Sequence, residues 1–217
     1  MGQYTKKGLL NGYKKNNTER AAYDYYATPA VEVENILNTL YEYFGYDFTA
    51  ATLLEPCVGG GHMADGIDKY LSTHNQHPKE KIAEDYIDRG WRGWQWKTRY
   101  GEDFLDDNYE SCDPDVIIMN PPYSTIEPFL IRALDLNPQY LIVLCRTQVL
   151  EGASRWEKIF QDDPPSYVFQ YSERIQCWKN GKKPTGSSAQ AYCWLVWNKD
   201  LKGKNTELFW IHRSENY

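Results

Sequence analysis

Apolar and polar residues alternate along this chain with two different periods. Short segments, of which 116–119 and 140–145 are the most apolar, predict strands at five places, 52–55, 81–85, 99–101, 116–119 and 140–145. Elsewhere apolar residues recur at helical spacing, most clearly in the segment before the first strand: Val33, Ile36, Leu37, Leu40 and Phe44. Helices that alternate with strands in this way favour an α/β fold with a mostly parallel, doubly wound sheet.

Both ends of the chain depart from this alternation. Residues 1–22 are polar and predict a flexible arm, which leaves 23–217 as one domain. The arm carries basic residues that could contact phosphates: Lys6, Lys7, Lys14, Lys15 and Arg20. Towards the carboxyl terminus, two consecutive prolines precede a predicted strand at 167–171, and 191–197 and 208–211 predict two more.

The segment from Asp115 to Tyr123 predicts a buried strand with an abrupt end. Residues 116–119 are apolar and largely β-branched, as in strands that are covered on both faces. Pro121 and Pro122 then end the strand, because neither can donate a ladder hydrogen bond. Asn120 and the Pro121 carbonyl should therefore lie at the carboxyl edge of the sheet, where open α/β sheets bind ligands.

A glycine-rich turn follows the first predicted strand. Gly59 and Gly61 lie between that strand and an apolar-faced helix, and glycine lets backbone approach a ligand closely. Glu55 at the strand end could hold an ammonium group, whereas Cys57 is a small residue lining the turn. The turn lacks the Gly-Lys-Ser/Thr sequence of a phosphate loop, but dinucleotide-binding proteins use similar turns.

The second predicted strand also ends in an acid. Asp85 could accept hydrogen bonds from both ribose hydroxyls of a nucleoside, with Glu84 as the alternative. Alternate residues of a strand face opposite ways, so only one of the two should point to the ligand.

Composition narrows the range of functions. No apolar run is long enough to cross a membrane, and the amino terminus lacks the core of a secretion signal. The five cysteines are scattered, which favours reduced thiols in a cytoplasm and gives no reason to expect a metal site. The net charge of −6 means that nucleic-acid binding would need a local basic face.

Two segments could supply that face, 89–99 and 151–190. The first alternates basic and aromatic residues, so it could stack on bases, or it could be a twisted hairpin with tryptophans packed on the domain. Arg146 and Gln148 should project from the ligand edge of the sheet, where they could bind substrate or form a salt-bridged rim.

The sequence Asn120-Pro121-Pro122-Tyr123 resembles the signature of the amino-methyltransferases. Three other segments resemble motifs of this family in matching order. Tyr26 to Pro29 resembles its tenth motif, Glu-x-Cys-x-Gly-x-Gly at 55–61 its first, and 101–105 its third. Together they resemble the gamma arrangement of DNA adenine-N6 methyltransferases, and 85–90 resembles small phage-type enzymes of that group.

This resemblance implies a Rossmann-like class I methyltransferase fold with an antiparallel carboxyl-terminal strand hairpin. It also implies S-adenosyl-L-methionine as cofactor, DNA as partner and the cytoplasm of a bacterium or phage-infected cell. The implied catalytic residues are Asn120, Pro121, Pro122 and Tyr123, with the tyrosine stacked on the base. Asp103 would accept a hydrogen bond from the amino group of the cofactor's adenine, with Glu102 or Asp106 as alternatives.

The remaining implied contacts fall into two sets. The cofactor-binding set is Tyr26, Thr28, Pro29, Glu55, Pro56, Cys57, Gly59, Gly61, Asp85, Asp103, Phe104 and Asn120. The nucleic-acid-binding set is Arg89, Arg92, Arg146, Arg155, Lys182 and Lys183. Thr28 also fits a simpler role, because Thr-Pro is a common start of a helix with threonine as its cap.

One departure from the family keeps other functions open. These enzymes often carry a separate target-recognition domain, for which this chain has no room. RNA adenine-N6 methylation and protein glutamine-N5 methylation use related signatures, and a non-catalytic nucleic-acid-binding module could keep the fold. The oligomeric state, monomer or homodimer, is open as well.

Overall fold

The protein is described by a computed structural model at residues 25–186 and 190–212. Its central feature is an eight-stranded mixed sheet. The strands are β2 (Thr52–Glu55), β3 (Glu80–Asp85), β4 (Lys97–Tyr100), β5 (Val116–Met119), β6 (Tyr140–Arg146), β7 (Tyr167–Tyr171), β9 (Tyr192–Asn198) and β10 (Glu207–Ile211). They lie in the order β10-β7-β9-β6-β5-β2-β3-β4. The predicted basic arm at 1–22 lies outside the described residues.

Five neighbouring strands, β4, β3, β2, β5 and β6, are parallel, as the alternating pattern predicts. Helices α1 (Ala30–Phe44) and α2 (His62–Thr73) pack together over one face of the sheet. Helix α3 (Ile126–Asp135) and a π-helical turn (Trp156–Phe160) cover the other face. The sheet is therefore doubly wound, and its four central parallel strands bury most of their side chains on both faces.

The carboxyl-terminal strands reverse direction. β9 pairs antiparallel with β6 on one side and with β7 on the other, which confirms the predicted antiparallel hairpin. β10 then adds a parallel edge strand beside β7. This edge keeps Leu208 and Trp210 half or more exposed, whereas Phe209 and Ile211 pack on the core.

A second, two-stranded sheet has no counterpart in the predicted elements. β1 (Tyr26–Ala27) pairs antiparallel with β8 (Trp178–Lys179). The turn after β8 is tied to the same region, because the backbone amide of Asn180 donates to the Tyr25 carbonyl at 2.9 Å. The segment around residue 180 is thus held against the residues that immediately precede α1.

One local prediction is wrong, and one of two alternatives left open by the sequence is excluded. Thr28 does not cap α1, since the helix begins at Ala30 and no side-chain bond caps it at Pro29. Segment 89–99 is not a hairpin, because it is a loop that runs into the single edge strand β4. None of the helices in the described ranges combines the length and apolar character that a membrane crossing requires.

Candidate active site

A cavity of about 580 Å³ opens at the carboxyl ends of β2, β3, β4 and β5. Nine of the twelve predicted cofactor-binding residues line it, while Pro29, Gly59 and Gly61 do not. Among the predicted catalytic residues, Asn120 and Pro122 line it and Pro121 and Tyr123 do not. The cavity therefore lies at the edge of the sheet where the sequence predicts a site.

The Asn120 amide is fixed in one orientation. Its Nδ2 donates to the Tyr26 carbonyl at 2.8 Å and to the Thr28 hydroxyl at 3.0 Å. A backbone carbonyl can only accept, so the nitrogen must face Tyr26 and the oxygen must point the other way. That Oδ1 atom is buried and has no hydrogen-bond partner among the described residues. A buried acceptor without a donor is costly and often marks a functional position.

The Thr28 side chain is one of the two groups that anchor the Asn120 amide. It is only 2% exposed and lies in the short segment between β1 and α1, where its hydroxyl accepts the Asn120 bond. The predicted capping role is thus replaced by a long-range contact between residues 92 positions apart.

Tyr123 packs away from the cavity. Its ring centroid lies 5.0 Å from that of Tyr26, and the Arg146 guanidinium lies 4.1 Å over the ring. The Tyr123 hydroxyl donates to the Tyr192 hydroxyl at 3.1 Å, and burial raises the pKa of Tyr123. Stacking of this ring on a substrate base stays a prediction, and it would require Tyr123 to exchange these neighbours for the base.

Glu55 ends β2 as a buried acid. It is 2% exposed, it lines the cavity, and its Oε2 has no hydrogen-bond partner within the described part of the chain. Burial, and then the charge of Asp85, raise the pKa of the Glu55 carboxyl well above its ordinary range. Burial likewise raises the pKa of the Cys57 thiol, which faces the backbone amide of Asn120. A cationic ligand would stabilise the ionised form of Glu55.

The glycine turn is covered by Tyr25. Gly59 and Gly61 adopt φ values of 56° and 82°, which favour glycine. A Cβ at Gly59 would lie 2.3 Å from the Tyr25 ring, so glycine here makes room for that tyrosine. Tyr25 over Gly59 and Trp91 over Gly61 thus cover the turn, and the cavity extends along its other residues, including Pro56, Cys57 and Val58.

The two acids at the end of β3 point to different places. Asp85 lines the cavity, and its two oxygens accept from the backbone amides of Gly59 at 2.7 Å and Ile87 at 2.8 Å. Each oxygen keeps a lone pair for a ligand hydroxyl. Glu84 is 1% exposed and pairs instead with Arg99 and with the Tyr109 hydroxyl. Of the two alternatives, Asp85 has the geometry for a ligand.

The loop after β4 brings three acids to the cavity, Glu102, Asp103 and Asp106. One oxygen of Asp103 accepts from the Leu105 amide at 3.0 Å, and Asp106 is held by Asn108 in the same way. Phe104 is buried between Phe129 and Tyr109. All three acids remain candidates for an amino group on a ligand.

Tyr25 and His62 also belong to the site, although neither is among the site residues predicted from the sequence. The Tyr25 hydroxyl accepts from the Gly60 amide at 2.9 Å and lies 3.3 Å from His62 Nδ1. Both residues line the cavity. Since β1 and β8 are too short to show a period, no local signal places Tyr25 over the turn.

Five of the six predicted nucleic-acid-binding residues divide into three groups, and Arg92 belongs to the 89–99 loop. Arg89 lines the cavity, with its guanidinium 4.5 Å over the Tyr25 ring. Arg146 stacks on Tyr123, and Arg155 donates to the carbonyls of Val149 and Glu151, so both hold local structure. Lys182 and Lys183 are exposed on the turn after β8.

The basic and aromatic loop at 89–99 is mostly engaged with the domain. Trp91 and Trp96 donate to Asp65 and Asp68 of α2, and Arg92 pairs with Asp88 at 2.8 Å. Trp94 is 83% exposed. Packing on the domain therefore applies to Trp91 and Trp96, whereas Trp94 is available for stacking on bases.

Comparisons with known proteins identify the fold. No family model matches the sequence, and no curated protein matches it either. Among solved structures, a type I restriction-modification methyltransferase subunit from Streptococcus thermophilus is similar with a TM-score of 0.60 and 12% identity. That likeness covers 86% of this chain, but this chain spans only 47% of that subunit.

Two further structures are closer in length. A candidate RNA methyltransferase from Pyrococcus horikoshii is similar with a TM-score of 0.59 and 16% identity over 91% of this chain and 99% of that one. A candidate class I S-adenosylmethionine-dependent methyltransferase from Listeria monocytogenes has a TM-score of 0.59 and 12% identity, over 97% and 72%. The strand order and these likenesses show that the chain has the Rossmann-like fold of class I methyltransferases.

Proposed function

We propose that this protein transfers a methyl group from S-adenosyl-L-methionine to the N6 amino group of adenine in DNA. The observation that carries the proposal is the anchored Asn120 amide, whose nitrogen is held by Tyr26 and Thr28 and whose buried oxygen lacks a donor. An amino group with two hydrogens is the complement of that oxygen and the neighbouring Pro121 carbonyl.

The chemistry explains why two acceptors matter. The lone pair of an adenine amino nitrogen is conjugated with the ring, so the nitrogen is a poor nucleophile. Acceptance of both amino hydrogens, by Asn120 Oδ1 and the Pro121 carbonyl, favours a pyramidal nitrogen and stabilises its developing positive charge. Proline suits this position because it offers a carbonyl without a competing amide proton.

The cavity fits the proposed cofactor by its charges. Glu55 has a buried oxygen for an ammonium group, Asp85 can accept ribose hydroxyls, and Asp103 lies where it could accept an adenine amino group. When bound, the cofactor supplies an activated methyl on a sulfonium, which needs neither a metal nor a covalent enzyme intermediate. The surrounding acids favour that positive charge.

Several features favour a nucleic acid as substrate. The motif order and the 85–90 segment resemble DNA adenine methyltransferases, and Lys182 and Lys183 are exposed on the β8 turn, which packs against Tyr25 at the cavity. A base in a duplex would have to leave the stack to reach Asn120. RNA is the second candidate, because the Pyrococcus structure described as an RNA methyltransferase matches this chain over nearly its whole length.

Transfer of labelled methyl groups tests the proposal. Purified protein would be given labelled cofactor with duplex DNA, with RNA or with a mixed protein extract, followed by identification of the methylated product. We expect label in DNA, recovered as N6-methyladenine after digestion to nucleosides. Label only in RNA would establish the second candidate, and label only in protein would contradict adenine methylation.

The two lysines provide a test of the proposed DNA contact. Replacement of Lys182 and Lys183 by alanine should weaken binding to duplex DNA and lower the slope of log affinity against log salt by roughly two, about 0.9 for each phosphate contact. Lys199 and Lys204 lie at the opposite edge of the sheet, so their double alanine variant is the matched control. Equal slopes for all three proteins would remove these lysines from the interface.

A further inference from the structure

The backbone amides of the glycine turn already have partners. Gly59 donates to Asp85 at 2.7 Å, Gly60 to the Tyr25 hydroxyl at 2.9 Å, and Gly61 to the Val58 carbonyl at 2.8 Å. A turn of this kind can bind an anionic group through its amides, but here that would break an existing bond. A carboxylate in this cavity therefore needs another donor.

Among the charged side chains that the structure describes around the cavity, one is a candidate to bind a carboxylate. Five carboxylates line it, from Glu55, Asp85, Glu102, Asp103 and Asp106. Arg89 is the single lysine or arginine among the described residues of the wall. His62 also lines the cavity, but burial lowers the pKa of its imidazole, which favours the neutral form at neutral pH.

Arg89 is held in the right part of the cavity. Its guanidinium lies 4.5 Å over the Tyr25 ring, and that ring covers Gly59 while its hydroxyl binds the Gly60 amide. Burial raises the pKa of the Asp85 carboxyl, and the nearby positive charge of Arg89 opposes that rise. Arg89 is thus close both to the acid proposed for the ribose and to the ring that covers Gly59.

We propose that Arg89 binds the α-carboxylate of the cofactor's amino acid end, while Glu55 binds its ammonium group. This assignment rests on the proposed function. It means that Arg89 binds the cofactor, whether or not it also contacts a DNA phosphate. A planar guanidinium can bind a carboxylate through two parallel hydrogen bonds. Tyr25 is then a positioning residue, because its ring fixes the plane of the guanidinium above the turn.

Two ligands that differ only in the carboxylate test the assignment. S-adenosyl-L-methionine and its decarboxylated form both carry the sulfonium and the amine, and calorimetric titration would give their affinities. The proteins are the wild type, Arg89→Gln, Arg89→Lys and the control Arg92→Gln. Arg92 is an exposed arginine three positions along, paired with Asp88 outside the cavity wall. Thermal unfolding without ligand confirms that each variant is folded.

We expect the wild type to bind the complete cofactor about 10- to 100-fold more tightly than the decarboxylated form, as for a charge-assisted contact. Arg89→Gln should lose that difference by weakening only the complete cofactor. Arg89→Lys should keep part of it, because the charge remains, and Arg92→Gln should keep all of it.

Other outcomes overturn the assignment in distinguishable ways. If Arg89→Gln weakens both ligands equally, Arg89 acts through Tyr25 and does not bind the carboxylate. If it leaves both affinities unchanged and lowers only DNA binding, Arg89 contacts phosphate, as the sequence alone suggests. If the wild type binds neither ligand, the proposed function itself is wrong, and the Arg89 assignment is wrong with it.

Discussion

The two sides of Asn120 are built differently. On one side lies the cavity, whose wall has five carboxylates and one arginine in the part of the chain that the structure describes. On the other side lies a packed cluster that we call the tyrosine cluster, formed by Tyr26, Tyr123, Tyr192 and Arg146. The first side is open and carries Glu55 Oε2, a buried oxygen without a donor among the described residues, whereas in the second the hydroxyls of Tyr123 and Tyr192 bind each other.

This difference indicates which part of the site is preformed. Glu55 Oε2 is a buried oxygen without a donor among the described residues, so under the proposed function this side is arranged for the ammonium group before the cofactor binds. In the tyrosine cluster the rings of Tyr26 and Tyr123 and the Arg146 guanidinium already pack on one another, so a substrate base that stacks on Tyr123 must displace a neighbour of that ring. Under the proposed function, the cavity residues would bind the cofactor and the tyrosine cluster would admit the substrate.

Loss of the Asn120 amide should have the largest effect. We expect Asn120→Ala to lower the rate of methyl transfer by about 10²- to 10³-fold or more, because one of the two acceptors for the amino group is lost. The dissociation constant for the cofactor, measured by calorimetry, should change by less than roughly threefold, since Glu55 and Asp85 remain.

The variant Asn120→Asp provides the control for shape. It keeps the side chain's size but turns a carboxylate oxygen towards the Tyr26 carbonyl, so it should be about as inactive as alanine. If Asn120→Ala lost cofactor binding as well, the separation between the two sides would be wrong.

Glu55→Gln should have the next largest effect, on the cofactor side. Removal of a buried charge-assisted contact is expected to weaken cofactor binding by about 10- to 100-fold. Glu55→Asp keeps the charge and should retain part of the affinity. Unchanged affinity in Glu55→Gln would exclude an ammonium contact at this residue.

The same substitution should stabilise the protein without ligand. Burial raises the pKa of Glu55 above its ordinary value of 4.5, so the folded protein retains a proton that the unfolded chain releases. Stability is therefore lost as the pH rises from the ordinary value through the raised pKa. Thermal unfolding of Glu55→Gln should show a higher Tm than the wild type at pH 7 and no advantage below pH 4.5.

Thr28→Val tests the anchor that orients Asn120. Valine has nearly the same shape but no hydroxyl, so one hydrogen of Asn120 Nδ2 loses its acceptor. We expect transfer to fall by about tenfold, as for the loss of one buried hydrogen bond, with unchanged cofactor affinity. Thr28→Ser restores the acceptor and should recover most of the activity. If serine and valine behaved alike, the hydroxyl would not position the amide.

Tyr123→Phe should have the smallest effect on activity. It removes the bond to the Tyr192 hydroxyl but keeps the ring between Tyr26 and Arg146. The free energy of unfolding in a denaturant titration should fall by about 1 kcal/mol. Transfer should stay within roughly twofold, since the proposed contribution of Tyr123 is its ring. A large loss of activity at unchanged stability would show that the hydroxyl acts on the substrate.

The sequence predicts most of the central sheet but not the contacts that complete the site. The bounds of β2 and β5 agree with prediction because both strands are short and uniformly buried. The β1–β8 pairing was missed because two-residue strands have no period, and it joins residues about 150 positions apart. The predicted capping role of Thr28 is also wrong, because the Thr28 hydroxyl bonds to Asn120, which lies 92 positions away in the chain.

The partners of charged residues are equally hard to predict from the sequence. Asp85 and Glu84 are neighbours in sequence, and only the structure shows that Arg99 and Tyr109 occupy Glu84. Arg155 is predicted from the sequence to bind nucleic acid, whereas in the structure its guanidinium donates to backbone carbonyls of its own turn. A local pattern identifies which residue types are present, whereas their partners depend on the packing of distant elements.

A crystal structure with S-adenosylhomocysteine and an adenine-containing oligonucleotide would test the role of Asn120 most directly. We expect the amino nitrogen of the target adenine to lie within about 3.2 Å of both Asn120 Oδ1 and the Pro121 carbonyl. The sulfur of the cofactor product should lie in line with that nitrogen on the cavity side. An adenine bound elsewhere, or an Asn120 oxygen still buried and without a donor, would contradict the proposed reaction.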